Sequence, residues 1–150
     1  MDAGSKWKQR TIRRRAVLVA IAIPIFNSQL EKSRESTDIA NARDYYAQVS
    51  VGLLDGSLEK ANDTMTVADG VQAKLTAVTA ADTTTDGSIK VTVTGVKVQQ
   101  AVFGAWSISD HNVAGADVDA PSNGDNTLIY TFKIEKGTYT TYLETIEYSH

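Results

Sequence analysis

The chain has 150 residues, enough for one domain with a sizeable core. It contains no cysteine, which excludes disulfides, thiolate metal sites and cysteine nucleophiles. The net charge of −3 is unevenly spread, because residues 1–15 (the basic arm) carry +5 and the other 135 residues carry −8. An acidic body repels phosphate backbones, so only the basic arm offers a nucleic-acid contact, and we do not expect nucleic acid as a partner.

The basic arm leads into an apolar run, residues 16–26, with the sequence AVLVAIAIPIF. This order is typical of a signal peptide, but no small-x-small cleavage site follows and the chain continues as helix-forming sequence. Three interpretations of the arm remain open: a solvated tag or linker, a cytoplasmic membrane flank, or a nucleic-acid arm. The apolar run reaches roughly 16 Å, about half of a hydrocarbon core, so we expect it to be soluble or interfacial and not to span a bilayer.

The sequence predicts one helix over residues 16–54, roughly 58 Å long at the standard rise per residue. Pro24 is expected to kink it near Ala20, and Asp55-Gly56 is a natural stop. Charged pairs Glu31–Arg34 and Arg34–Asp38 are expected along its surface. A seam with gaps of three and four residues is predicted to pack on the sheet: Ile39, Ala42, Tyr46, Val49 and Leu53.

The rest of the chain changes to an alternating pattern that is typical of strands. Residues 55–70 are predicted as a polar loop with one helical turn, and residues 71–150 as a β-rich head. Asp86-Gly87 and Lys136-Gly137 are turn signals, and residues 109–126 are predicted as loop. The predicted strands are 74–79, 89–94 with an extension through Val96 and Val98, 102–108, 127–134 and 139–148. Strands gathered after one helix predict an α+β fold, a long N-terminal helix packed on an antiparallel sheet.

No residue set in the sequence indicates an enzyme. His111 and His150 do not form a helical metal-ligand pair, and no nucleophile–base set is visible, so we expect no catalytic residue, no cofactor and no metal. The triplet Asn62-Asp63-Thr64 fits a glycosylation sequon, a pattern that is frequent by chance. An acidic loop favours solvation over a calcium site, because its spacing does not match an EF-hand: Asp117, Asp119, Asn123, Asp125 and Asn126.

The stretch AVLVAIAIPIFNSQLEKSRESTDIANARDYYAQV, residues 16–49, resembles the N-terminal helix of type IV pilins, especially the cysteine-free major pilins of Gram-positive bacteria. The AIPIF block, the SQLEKSRE segment and the ANARDYYAQV seam occur in the family's order. The resemblance implies a subunit that resides in the cytoplasmic membrane and is then built by a pilus assembly machinery into a helical filament on the cell surface. Adhesion, motility or biofilm formation are the implied functions.

The resemblance also implies which residues pack in the filament core through self-association. By position they are Val17, Leu18, Val19, Ile21, Ile23, Pro24, Ile25 and Phe26. A pseudopilin or competence pilin of a secretion or DNA-uptake machine is an alternative that shares the helix. A soluble binding module with a basic arm is an alternative of another class.

The sequence departs from the family before Ala16. The family has a glycine cleavage site and an FTLIE-like segment there, whereas this chain has MDAGSKWKQRTIRRR. Peptidase processing, N-methylation and a glutamate–amine contact between subunits therefore have no counterpart in these residues. The abrupt change between Arg15 and Ala16 indicates that residues 1–15 replace the family's segment, through a replacement introduced for expression, a misassigned start or a frameshifted reading.

Overall fold

A computed structural model describes residues 28–150 in full, and for residues 2–27 it gives only the backbone course of the helix. That helix is α1 (Asp2–Asp55). The strands are β1 (Thr64–Ala68), β2 (Val71–Thr79), β3 (Gly87–Thr94), β4 (Asn112–Val113), β5 (Ala116–Asp117), β6 (Thr127–Ile134) and β7 (Thr141–Ser149). This order confirms the α+β class.

The fully described part of α1 covers residues 28–55, roughly 42 Å of helix. It contains one glycine near its end, Gly52, and no proline. Gly56 follows with φ of 87° and the Ser57 N–H donates to the Asp55 carboxylate at 2.8 Å, which ends the helix one residue after the predicted Leu54. The predicted start at Ala16 and the kink at Pro24 lie outside the fully described residues.

The main sheet has five antiparallel strands in the order β1-β2-β3-β6-β7. Each strand pairs with its neighbour in sequence except at the centre, where β3 pairs with β6 from Gly87–Ile134 to Thr94–Thr127. The connection between these two strands carries the small β4–β5 hairpin and returns to β7 through a bridge between Val118 and Ile146. The part of this connection around Val118 is thereby placed at the β7 edge of the sheet, and its hairpin also contacts α1.

Apolar residues from α1 and from one face of the sheet form a single core cluster. Tyr130 lies at its centre, fully buried, and its hydroxyl donates to the Ala42 carbonyl of α1 at 2.6 Å. The Tyr46 ring stacks on Phe132 with centroids 6.1 Å apart. Burial raises the Tyr130 pKa far above its ordinary value, so this hydroxyl remains a donor at every physiological pH.

The predicted strands 74–79, 89–94 and 127–134 are confirmed by β2, β3 and β6, and β6 has the predicted bounds. The last strand is also confirmed, although it begins at Thr141. Tyr139 has φ of 59°, and this left-handed residue ends the turn before the strand.

Four predictions about strands were wrong. Residues 109–126, predicted as loop, contain the β4–β5 hairpin, in which Asn112 pairs with Asp117 and Val113 with Ala116. Residues 64–68, predicted as loop, form β1, because Thr64, Met65 and Thr66 pair with β2 across a tight turn. The extension through Val96 and Val98 is absent, because Gly95 has φ of 84° and turns the chain out of the sheet. Residues 102–108 form no strand. The Val102 and Ser107 N–H groups bond to carboxylates of α1, and the Gly104 N–H bonds to the Pro121 carbonyl.

Candidate functional site

Three acidic residues of α1, spaced by four and three residues, face the loop that follows β3. Glu35 and Asp38 are buried, at 1% and 2% exposure, and Glu31 is partly exposed. Residues at i, i+4 and i+7 share one face of a helix. These carboxylates therefore form a single stripe, which we call the carboxylate stripe.

Each carboxylate of the stripe accepts hydrogen bonds from backbone N–H groups of residues 99–107. Asp38 accepts from Gln99 at 2.7 Å and from Gln100 at 3.1 Å. Glu35 accepts from the Ser107 N–H at 3.0 Å and from the Ser107 hydroxyl at 2.6 Å. These bonds satisfy donors of an irregular segment that has no sheet partner.

Glu31 makes the third attachment, nearest to the apolar run. It accepts from the Ala101 and Val102 N–H groups, both at 3.0 Å, and contacts Arg34 at 3.5 Å. Burial opposes ionisation of Glu31, but the N–H donors of Val102 and Ala101, with Arg34, lower its pKa. The predicted Glu31–Arg34 pair is therefore present.

Asp38 differs from its prediction as a surface partner of Arg34. Its carboxylate points into the protein, where burial raises its pKa above the ordinary 3.8, despite the opposing bonds from Gln99 and Gln100. The nearby Glu31 and Glu35 carboxylates act in the same direction as burial. Asp38 therefore holds the loop by hydrogen bonds, although burying its negative charge costs free energy.

Arg43 fastens the far end of the same loop. Its guanidinium donates to the Asn112 carbonyl at 3.0 Å and to the exposed Asp110 carboxylate at 2.9 Å. Trp106 is part of this loop; its indole N–H donates to the Val118 carbonyl at 2.7 Å and its ring stacks on His111. The contacts with α1 therefore hold the loop from Gln99 to Asn112.

Two open clefts flank this junction. One, of about 370 Å³, is lined by Lys32, Ser36 and Arg43 together with residues 107–110. The other, of about 420 Å³, is more apolar and is lined by Val102, Ala105 and Trp106 beside Glu31 and Glu35. The carboxylates of Glu31 and Glu35, which line the second cleft, are already engaged by hydrogen-bond donors of the loop.

The predicted helix seam lies as follows. Ile39, Ala42 and Val49 are buried, and Tyr46 and Leu53 are partly buried against the core cluster. Tyr45, which was not in the seam, is also buried. The predicted filament-core residues lie outside the residues whose side chains are described: Val17, Leu18, Val19, Ile21, Ile23, Pro24, Ile25 and Phe26.

The residues of the acidic loop that make hydrogen bonds, such as Asp117 and Asp125, bond mainly to nearby residues of the same loop. Asp125 is buried, accepts from the Ser122 N–H at 2.8 Å and contacts the His150 ring at 2.8 Å. Asp117 accepts from the Asn112 side chain at 3.3 Å. Within residues 28–150, no group of three His, Asp or Glu side chains is placed to hold a metal. The same residues contain no helix long and apolar enough to cross a membrane.

The sequence reasoning missed the role of the carboxylate stripe. The signal was present in the spacing of Glu31, Glu35 and Asp38, since three acids on one helical face are hard to explain beside an apolar seam. The partners of these carboxylates are backbone N–H groups, which nearly every residue has whatever its side chain, so the sequence does not mark them. The stripe was detectable from the sequence, but its partner segment was not.

We expect the protein to lose stability as the pH falls below about 4. Five carboxyls have folded pKa values below their ordinary values, and they are held by backbone or hydroxyl donors: Glu31, Asp55, Asp63, Asp82 and Asp86. The stability from such groups is present above the unfolded pKa and is lost as the pH falls through the folded pKa. Asp38, with a raised pKa, acts oppositely, because protonation relieves its burial cost.

The measurement is the thermal midpoint by circular dichroism from pH 7 to pH 2. Asp82→Ala should flatten the low-pH part of the profile, because it removes an acceptor bonded at 2.6 Å by both the Thr84 and Thr85 N–H groups. Asp69→Ala, at another exposed aspartate, matches the change in charge. A thermal midpoint that rises on acidification would show that the stability gained by protonating Asp38 exceeds the stability lost by protonating the five carboxyls with lowered pKa values.

Comparisons with protein-family models, with curated proteins and with solved structures found no match to this chain.

Proposed function

We propose that this protein is the structural subunit of a type IV pilus-like extracellular filament, assembled by packing of its N-terminal apolar helix. Support comes from the resemblance of residues 16–49 and from an α+β head whose sheet shares a core with α1. A long helix packed on an antiparallel sheet is the architecture this proposal requires.

The attachment of the head to α1 is the observation that carries the proposal. A filament subunit held by its helix must pass tension from that helix to its head. Here the attachment begins at Glu31, close to the apolar run, and continues through Glu35, Asp38 and Arg43 to the Tyr130–Ala42 hydrogen bond. Such a row of polar contacts resists sliding of the helix along the sheet, which an apolar seam alone resists poorly.

The proposed partners follow from this function. They are other copies of the chain in a helical filament, a pilus assembly machinery, and the cytoplasmic membrane before assembly. The proposed location is the cell surface, where the filament would serve adhesion, motility or biofilm formation. The alternative, a pseudopilin or competence pilin, shares the helix but serves secretion or DNA uptake. The alternative of another class is a soluble binding module whose basic arm docks on a membrane or on nucleic acid.

The test is electron microscopy of native cells with gold-labelled antibodies against residues 57–150. Labelled filaments several times longer than the cell-envelope thickness are expected. Replacing Ile23→Asp should abolish them, because a charge in a packed apolar helix is costly, while Val78→Asp at a half-exposed strand position should leave them intact.

The alternatives give different results in the same cells. Label confined to the envelope, with secretion or DNA uptake lost in the deletion strain, would indicate a pseudopilin or competence pilin. Protein that remains inside the cell with an intact basic arm, detected as the mass of the Met1 peptide, would overturn the filament and favour the binding module.

A further inference from the structure

The turn before β6 contains Asn123-Gly124, and Asn123 is the only asparagine of the chain that is followed directly by glycine. These two residues are the central pair of a β-turn, because the Asp125 N–H donates to the Ser122 carbonyl at 3.1 Å. Gly124 has φ of 90°, the sign that the third position of a type II turn requires. Asn123 and Gly124 are both exposed to solvent.

The fold leaves the reactive groups of this pair accessible. Within residues 28–150, neither the Gly124 N–H nor the Asn123 side-chain amide has a hydrogen-bond partner. A Cβ added at Gly124 would meet no heavy atom within 4 Å, so open space surrounds this glycine. The Asn123 side chain can therefore turn towards the Gly124 nitrogen without losing a hydrogen bond, and glycine has no side chain to hinder the approach.

The other asparagines of residues 28–150 are each followed by a residue that has a side chain and an ordered backbone. Asn41 lies inside α1, and the residue after Asn112 belongs to β4. After Asn62 the next N–H donates to the Lys60 carbonyl at 3.0 Å, and the residue after Asn126 begins β6 and pairs with both neighbouring strands. At these positions the following nitrogen is less free to reach the amide carbon.

We propose that Asn123 is a site of spontaneous deamidation, at which the neutral side-chain amide becomes a carboxylate without an enzyme. The Gly124 nitrogen gives its proton to the solvent and attacks the Asn123 side-chain carbonyl carbon, which closes a succinimide ring. The amide nitrogen takes up a proton and leaves as ammonia. Water then adds to one of the two ring carbonyl carbons, and the bond from that carbon to the Gly124 nitrogen breaks, which gives aspartate or isoaspartate.

The reaction consumes one water and releases one ammonia, with no oxidation or reduction. It depends on Asn123, Gly124 and solvent alone, so it applies whether or not the chain assembles into filaments.

The product changes the turn that holds Asp125. This buried carboxylate accepts from the Ser122 N–H at 2.8 Å and contacts the His150 ring at 2.8 Å. Aspartate at position 123 adds a negative charge two residues before Asp125. Isoaspartate also lengthens the backbone by one carbon inside the turn, so it should break the hydrogen bonds between Ser122 and Asp125.

The test is mass spectrometry of the full-length protein after incubation at mildly alkaline pH, below its thermal midpoint. Fragmentation of the peptide that contains residues 122–125 should show the replacement of NH by O at position 123, and it distinguishes aspartate from isoaspartate. The change at Asn123 should be at least about tenfold faster than at Asn112 or Asn126. Equal rates at the three asparagines would overturn the proposal.

Two variants serve as matched controls. Gly124→Ala has room for its Cβ and should slow the reaction by at least about tenfold, because the methyl group hinders the nitrogen. Asn123→Gln keeps an amide at the same position but needs a larger ring, so it should stay intact over the same period. Circular dichroism shows that both variants are folded. A folded Gly124→Ala protein that deamidates at the original rate would contradict the proposal.

The same incubation in urea separates the contribution of the fold from that of the sequence. The unfolded chain gives the rate of a freely moving Asn123-Gly124 pair. The native protein should react within about tenfold of that rate, because both residues are exposed and their reactive groups are not hydrogen-bonded. A larger protection in the native protein would show that the turn shields the pair, and this result would overturn the proposal.

The isoaspartate form, separated by ion exchange, tests the effect on the turn. Its thermal midpoint should be lower than that of the unmodified protein. Hydrogen exchange should be faster at Asn126, whose N–H donates to the Ser149 carbonyl at 3.0 Å directly after the turn. An unchanged midpoint with unchanged exchange would show that the turn tolerates the longer backbone and would reject this consequence.

Discussion

Glu35→Ala is expected to lower the free energy of unfolding by about 3 kcal/mol. The Glu35 side chain is 1% exposed and accepts from both the N–H and the hydroxyl of Ser107. Removing it leaves two donors without an acceptor at the helix–loop junction, and each unsatisfied group costs about 1–3 kcal/mol. Urea denaturation followed by circular dichroism measures the loss.

Two further variants separate the hydrogen bonds from the charge. Glu35→Gln keeps one acceptor for the Ser107 N–H, so it should lose less than half as much as Glu35→Ala. Asp44→Ala removes one negative charge from an exposed position of the same helix and should change stability by less than about 0.5 kcal/mol. Equal effects of Glu35→Ala and Asp44→Ala would show that the loop is not held by Glu35.

The loss of stability in Glu35→Ala should appear first as local opening of the loop, under conditions where the sheet stays folded. Hydrogen exchange of Glu35→Ala should show faster exchange at Ser107 and its neighbours, while β3 and β6 remain protected. That pattern would indicate that the carboxylate stripe attaches the loop to α1 and that the sheet forms without it.

The sheet was the most predictable part of the fold, because its strands carry their own signals. β6 alternates apolar and polar residues except at Ile129, and Leu128, Tyr130 and Phe132 all face the core. β1 lacked such a signal, since only Val67 of its five residues is buried. An edge strand is defined by pairing with its neighbour, and that pairing cannot be derived from five residues of which only one is buried.

The loop after β3 was the least predictable part, because its order comes from long-range hydrogen bonds. Residues 102–108 have an apolar, aromatic composition that is typical of strands, yet Val102 and Phe103 are exposed. The donors of Val102 and Ser107 bond to carboxylates about seventy positions earlier in the chain. The acids on α1 accept hydrogen bonds from the loop, and the loop is irregular because its N–H groups bond to these acids and not to a strand. Neither feature can be recognised from a short stretch of sequence.

The exposed side of α1, which carries Ala47, Val51 and Leu54, illustrates a different limit. Its spacing was available from the sequence, but the inner seam from Ile39 to Leu53 has the same alternation of three and four residues. Two apolar stripes on one helix do not reveal which faces the head. The exposure of Val51 and Leu54 against the burial of Val49 decides between them.

Gly95→Ala is expected to destabilise the protein by about 3 kcal/mol, combining left-handed strain of about 1–2 kcal/mol with a steric overlap. Gly95 has φ of 84°, and a Cβ there would overlap the carbonyl oxygen of Gly70 in the turn between β1 and β2. The turn at Gly95 also directs the Val96 N–H to the Asn126 carbonyl, at 2.9 Å, instead of continuing β3. The predicted extension through Val96 and Val98 fails for this reason.

Gly104→Ala is the matched control, because Gly104 has φ of 86° but a Cβ added there would meet no atom within 4 Å. It should cost only the strain of the left-handed conformation, about 1 kcal/mol. The difference between the two variants in urea denaturation therefore measures the contact of Gly95 with the β1–β2 turn. Equal losses of stability in the two variants would show that Gly70 moves to relieve the overlap. The end of β3 at Gly95 would then be due to the left-handed backbone conformation alone.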